Sequence, residues 1–168
     1  MVPFGPSIGR TAMTYYLLLK YLHVLGAIIL LGTGTGIAFF MLMAHRTGDA
    51  SYIARTAATV VLADFIFTAT AAVAQPVTGF LLAQQTGLPL TEGWVLISLL
   101  LYVLAGAFWL PVIGLQMRMR DLARDTAMHR TPLPETYFRL FRIWFVFGFP
   151  GFGSVVVILW LMVAKPSF

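Results

Sequence analysis

Four long apolar runs dominate this sequence, at about Tyr15–Ala44, Thr56–Gln85, Trp94–Met117 and Ile143–Ala164. A helix needs ~20 predominantly apolar residues to cross the hydrocarbon core of a bilayer, and each run is at least that long. In lipid every backbone N–H and C=O must be paired within the protein, so runs of this kind fold as helices. The expected fold is an all-α integral membrane protein, a single domain over residues 1–168 built as a four transmembrane helix bundle. The first run is too long for the apolar core of a signal peptide and has no small-residue cleavage site after it, so it reads as a retained helix.

Composition supports this reading. Of the 168 residues 60% are hydrophobic and only 10% charged, against about 25% charged in soluble domains. A water-soluble fold of this size has too little interior to hide that much apolar surface. The absence of cysteine excludes disulfides, thiolate metal sites and a cysteine nucleophile. The formal net charge of +5 comes from basic residues grouped in short segments between the runs. Anionic lipid headgroups account for that placement, and no nucleic acid is expected as a partner.

The division of Arg and Lys orients the bundle. Arg46, Arg55, Arg118, Arg120, Arg124, Arg130, Arg139 and Arg142 lie in or beside the first and third connections, whereas Arg10, Lys20 and Lys165 lie on the other side. This asymmetry places both termini outside, in a multi-pass protein of the bacterial inner (cytoplasmic) membrane. The Arg-rich pattern from Arg118 can extend the third helix beyond the lipid. Thr131 and Pro132 read as the N-cap and first residue of the last helix, and Pro111 as the position of a kink in the third. Arg139 and Arg142, three residues apart, share a face that suits lipid phosphate.

Ionisable groups inside a bilayer are costly, which makes the few present the candidates for function. At 1.5 Å of rise per residue His23 stands about 33 Å from His45, and Gln75 about 30 Å from Arg55, so His23 and Gln75 share one layer. Lys20 lies one turn from His23 on the same face; Trp94 and Lys165 fall near that level. His23 has three readings: an interfacial side chain bonded to Gln75 or a carbonyl, an axial haem ligand, or a transition-metal ligand assisted by methionine. Met41, Met43, Met117 and Met119 gather at the opposite end, which leaves packing as their ordinary use. His45 and His129 are too distant to act as a second ligand within one chain.

Asp64 lies about 13 Å deep by the same rise, level with Gly36, Trp109 and Gly151. It reads either as a structural hydrogen-bonding group or as a proton relay, with Thr33, Thr35 or a carbonyl freed by Pro111 or Pro150 as its partner. Gly32, Gly34 and Gly36 in the first helix and Gly148, Gly151 and Gly153 in the fourth make thin faces suited to close packing in the bundle or in a homodimer. Lying in the middle of a helix with no following Lys-Ser or Lys-Thr, the first cluster is not a phosphate loop.

The segments Leu17–Gly26 (LLLKYLHVLG), Gln75–Leu82 (QPVTGFLL), Thr91–Leu110 (TEGWVLISLLLYVLAGAFWL) and Leu161–Pro166 (LMVAKP) resemble a bacterial family of predicted integral membrane proteins of unknown function. The spacing of Lys20, His23 and Gly26 is also similar, more distantly, to the first helix of the membrane protoporphyrinogen oxidases and the copper-resistance membrane proteins. In the oxidases the corresponding histidine is implicated in haem binding, so this resemblance implies haem b at His23. No lysine stands in the middle of the third helix, where the oxidase pattern has one, so the resemblance carries the histidine and not the oxidase reaction. The leading expectation is a haem b-binding membrane redox protein that exchanges electrons with a quinone or an external partner, using His23, Gln75 and Lys20. Its rival is a non-catalytic membrane scaffold or a small-solute or metal transport component.

Overall fold

The computed structural model describes residues 9–167, with backbone alone for residues 10 and 11. The expected charge of Arg10 on the terminal side therefore lies outside the described side chains. Four helices run through the described residues: α1 (Arg10–Thr47), α2 (Ala50–Thr86), α3 (Gly93–His129) and α4 (Glu135–Ala164). All four are long and apolar enough to cross a membrane. Short connections make sequence neighbours antiparallel, so one end of the bundle carries the first and third connections and most of the arginines. The other end carries the termini and the second connection. These are called the arginine end and the terminal end below.

Each helix outruns its apolar stretch because the flanking residues also favour helix or cap it. α1 stops at Gly48, whose φ of 66° places it in the left-handed region that glycine enters without strain. Asp49 then opens α2, its Oδ1 accepting from the backbone N–H groups of Ser51 at 2.7 Å and Tyr52 at 3.2 Å. α3 extends to His129 as a charged projection. Arg130 at φ 53° ends it, and the Thr131 N–H turns back onto the Thr126 carbonyl at 3.2 Å. Thr131 is thus spent terminating α3. The last helix opens at Glu135 after Pro134, not at Pro132 as the Thr-Pro pair suggested. α3 also runs unbroken through Pro111, and α4 through Pro150.

Within α2 the α-helix gives way to one π-helical turn at Asp64–Thr68. A π turn inserts an extra residue into the helical circuit. Here it leaves Phe65, Ile66 and Phe67 about half exposed on the lipid side while Asp64 and Thr68 both point inward and are buried.

The main core lies toward the arginine end, where Ile37, Met41, Ile53, Met119, Tyr137 and Phe141 interlock. Met41 and Met119 are completely buried there, so methionine acts as packing. A smaller cluster of Trp94, Val95 and Leu161 joins α3 to α4 at the terminal end. The half of α2 nearest its start packs on α3, whereas its second half packs on α1. Many large apolar side chains, such as Val73, Val103 and Val163, stand outward. That surface is costly in water and neutral against lipid tails.

Candidate functional site

His23 on α1 meets Thr78 and Gly79 on α2, near the terminal end. His23 Nδ1 lies 2.9 Å from Thr78 Oγ1. The Thr78 hydroxyl has one proton, and its shortest acceptor is the Ala74 carbonyl one turn back, at 2.7 Å. The Thr78 oxygen is then the acceptor and His23 Nδ1–H the donor, which assigns the tautomer and leaves an open lone pair on Nε2. No described residue hydrogen-bonds to that nitrogen.

Gln75 reaches the same part of α1 twice, its backbone carbonyl lying within hydrogen-bond reach of the His23 ring. Its Nε2 donates to the His23 backbone carbonyl at 2.7 Å. The side chain beneath the ring is thus Thr78, one turn of helix along from Gln75, whose own side chain lies beneath the His23 backbone. Two glycines make this approach feasible. A Cβ on Gly26 would stand 2.5 Å from Gln75 Nε2, and one on Gly79 would stand 3.2 Å from His23 Cε1. Both helices are cut away where the His23 and Gln75 side chains cross between them.

A third helix is tied in through a proline. Pro76 has no N–H, so the Ala72 carbonyl lacks its helical donor; the Tyr102 hydroxyl of α3 donates to it instead. Lys20 does not join this cluster. It is exposed, with Nζ 5.9 Å from the centroid of the Tyr16 ring. Lys165 sits similarly above Trp94, at 5.8 Å, which bears out their common level. The remaining histidines are far from this layer. His45 stacks on Phe141 at 3.6 Å between ring centroids and lies 3.3 Å from the Tyr137 hydroxyl, and exposed His129 pairs with Asp125. Among the described residues no group of three or more His, Asp or Glu side chains converges.

A second polar centre surrounds Asp64, only 3% exposed. Trp109 Nε1 on α3 donates to Asp64 Oδ1 at 3.3 Å. Thr68 and Gln116 also bring their side chains to this carboxyl. Neither closes a well-formed hydrogen bond: Thr68 Oγ1 and both polar atoms of Gln116 are buried without a partner. Of the expected partners, Thr35 bonds instead to the Leu31 carbonyl of its own helix. Gln116 escaped notice in the sequence because it sits at the polar end of the third apolar run, where a glutamine ordinarily faces headgroups.

At the arginine end Arg139 and Arg142 line a shallow groove of about 340 Å³ with Glu135, Thr136 and Ile143. Arg142 Nη2 is 3.5 Å from Glu135 Oε1. The glycine faces divide. Gly34 packs on Phe152 and Gly151 on Phe108, whereas Gly32 and Gly36 have open space where a Cβ would stand. Those two belong to an apolar groove on α1 of about 750 Å³ that includes Ile28, Phe39 and Phe40.

No curated protein matches the chain, and no solved structure does. A family model described as a predicted integral membrane protein (DUF2269) matches residues 17–166. With nearly the whole described bundle inside that match, the chain belongs to this family of predicted integral membrane proteins.

Proposed function

We propose that the protein binds haem b through His23 and exchanges electrons with a quinone or an external partner, in a bacterial cytoplasmic membrane with both termini outside. The observation that carries this reading is the Nδ1–H of His23 held by Thr78, with the Nε2 lone pair left over. A metal-ligating histidine typically has its second nitrogen fixed in this manner, which sets the tautomer and the ring direction. The absent Cβ of Gly79 leaves the ring its room. Haem b would supply one-electron chemistry at this position. The residues of the chain orient the ring, keep Nε2 unprotonated and hold α1 against α2 through Gln75. With His45 and His129 placed as they are, His23 is the histidine of this chain that would hold the haem, and any further ligand would come from another residue type, water or a second copy of the chain. Arg139 and Arg142 hold lipid phosphate in this reading.

The test is absorption of the protein purified after expression with ample haem. A Soret band is expected, strongly reduced or shifted by His23→Ala and nearly unchanged by His45→Ala or His129→Ala. Thr78→Val should shift the reduction potential while retaining haem. Wild-type protein that folds in full yield yet shows no Soret band overturns the reading and favours the scaffold or transport alternative.

A further inference from the structure

The Asp64 centre has a composition that asks for a guest. Of the four buried side-chain polar atoms that lack a partner among the described residues, three belong to Thr68 and Gln116, the two side chains brought to the Asp64 carboxyl. Leaving such atoms unpaired in an apolar interior costs about 1–3 kcal/mol each. Asp64 and Thr68 open and close the π turn, both buried on the inward side of α2, and π turns of this kind occur frequently at functional sites. Trp109 and Gln116, two turns apart on α3, close the other side.

We propose that Asp64, Thr68 and Gln116 form an intramembrane site for a small monovalent cation, with Trp109 fixing the carboxylate. The side chains that meet here carry a carboxylate, a hydroxyl and an amide oxygen, the ligand type of hard cations once the Gln116 amide turns its oxygen inward. One carboxylate balances one positive charge, and no Lys, Arg or His bonds to it; a divalent ion would be left undercompensated in an apolar layer. A proton on Asp64 would supply a single donor, enough for only one of the two unpaired oxygens, Thr68 Oγ1 and Gln116 Oε1. A cation instead draws in the Thr68 and Gln116 oxygens together, leaving the Gln116 amide N–H groups and the Trp109 N–H to the carboxylate. This site is independent of His23 and of the haem reading.

The probe is sodium ion on the full-length protein in detergent, with melting temperature measured in sodium, potassium and choline chlorides at equal ionic strength. An ion that binds only the folded state raises stability with the logarithm of its concentration above half-saturation. Sodium should therefore raise the melting temperature over choline, and the half-saturating concentration should increase as pH falls, because a proton competes for the same carboxyl. Asp64→Asn, which keeps the shape and removes the charge, should abolish the response. Thr68→Val and Gln116→Leu should each weaken it, and they provide the test if the Asn protein does not fold. A wild-type melting temperature indifferent to sodium, as a protonated and water-bridged Asp64 would give, overturns the site. So does an unchanged response in all three variants.

Discussion

At His23 the ring meets the Thr78 side chain and the backbone meets the Gln75 side chain, and this separation makes the roles of the two side chains testable one by one. Gly26→Ala would bring a Cβ within 2.5 Å of Gln75 Nε2. The Gln75 side chain must swing off the His23 carbonyl or α1 must shift from α2. The expected cost is about 1–3 kcal/mol, the usual range for overpacking, seen as a lowered denaturation midpoint in detergent. Gly32→Ala, with open space around it, should be nearly neutral; equal losses at both positions would refute the packing assigned here. Counting residues from the arginines was enough to bring His23 and Gln75 to one level. It did not identify Thr78, because depth along an axis says nothing of the direction around it. Asp64 and Trp109 were likewise level in the sequence, but their contact depends on how α2 and α3 turn toward each other.

Among the helices, α2 departs furthest from a regular rod, with a capped start, a π turn and a proline. Its Asp49 cap is pH-dependent. Hydrogen bonds from the Ser51 side chain and from the Tyr52 and Ser51 backbone hold the carboxyl below its ordinary value of 3.8. A depressed folded-state pKa means a stabilisation that is fully present above the unfolded value and lost as pH falls through the folded one. Asp49→Ala should therefore lower the melting temperature at pH 7, and its difference from wild type should vanish at pH well below 3.8. A difference that persists there would show that the cap acts by some other means. The proline predicts a second effect. Tyr102→Phe leaves the Ala72 carbonyl unpaired and should cost ~1 kcal/mol, typical of interhelical hydrogen bonds in membranes. In a Pro76→Ala background residue 76 regains its N–H, so the same Tyr102→Phe change should cost much less. Equal costs in the two backgrounds would show that the carbonyl is not what Tyr102 serves. Sequence inspection located Pro76 but not its consequence, because the donor that rescues Ala72 comes from another helix.

For the whole molecule, orientation is the first quantity to measure. The excess of arginine at one end predicts that a reporter fused after Phe168 is active only outside, and one inserted between Arg124 and Arg130 only in the cytoplasm. The opposite pattern would invert the assignment of the His23 layer to the outer half. The number of spans, their approximate limits and the split of the chain into an arginine end and a terminal end were legible in the sequence. Each is a sum over many residues, of hydropathy along a run or of charge between runs, and no single contact decides it. What only the tertiary structure decided is which side chains meet: Thr78 beneath His23, Tyr102 on the carbonyl freed by Pro76, and Thr68, Trp109 and Gln116 around Asp64. Each turns on the rotation of one helix against another. Neighbouring residues lie about 100° apart around a helix axis, and a single π turn shifts all that follows, so those meetings are set by how the four helices pack and not by the order of residues along any one of them.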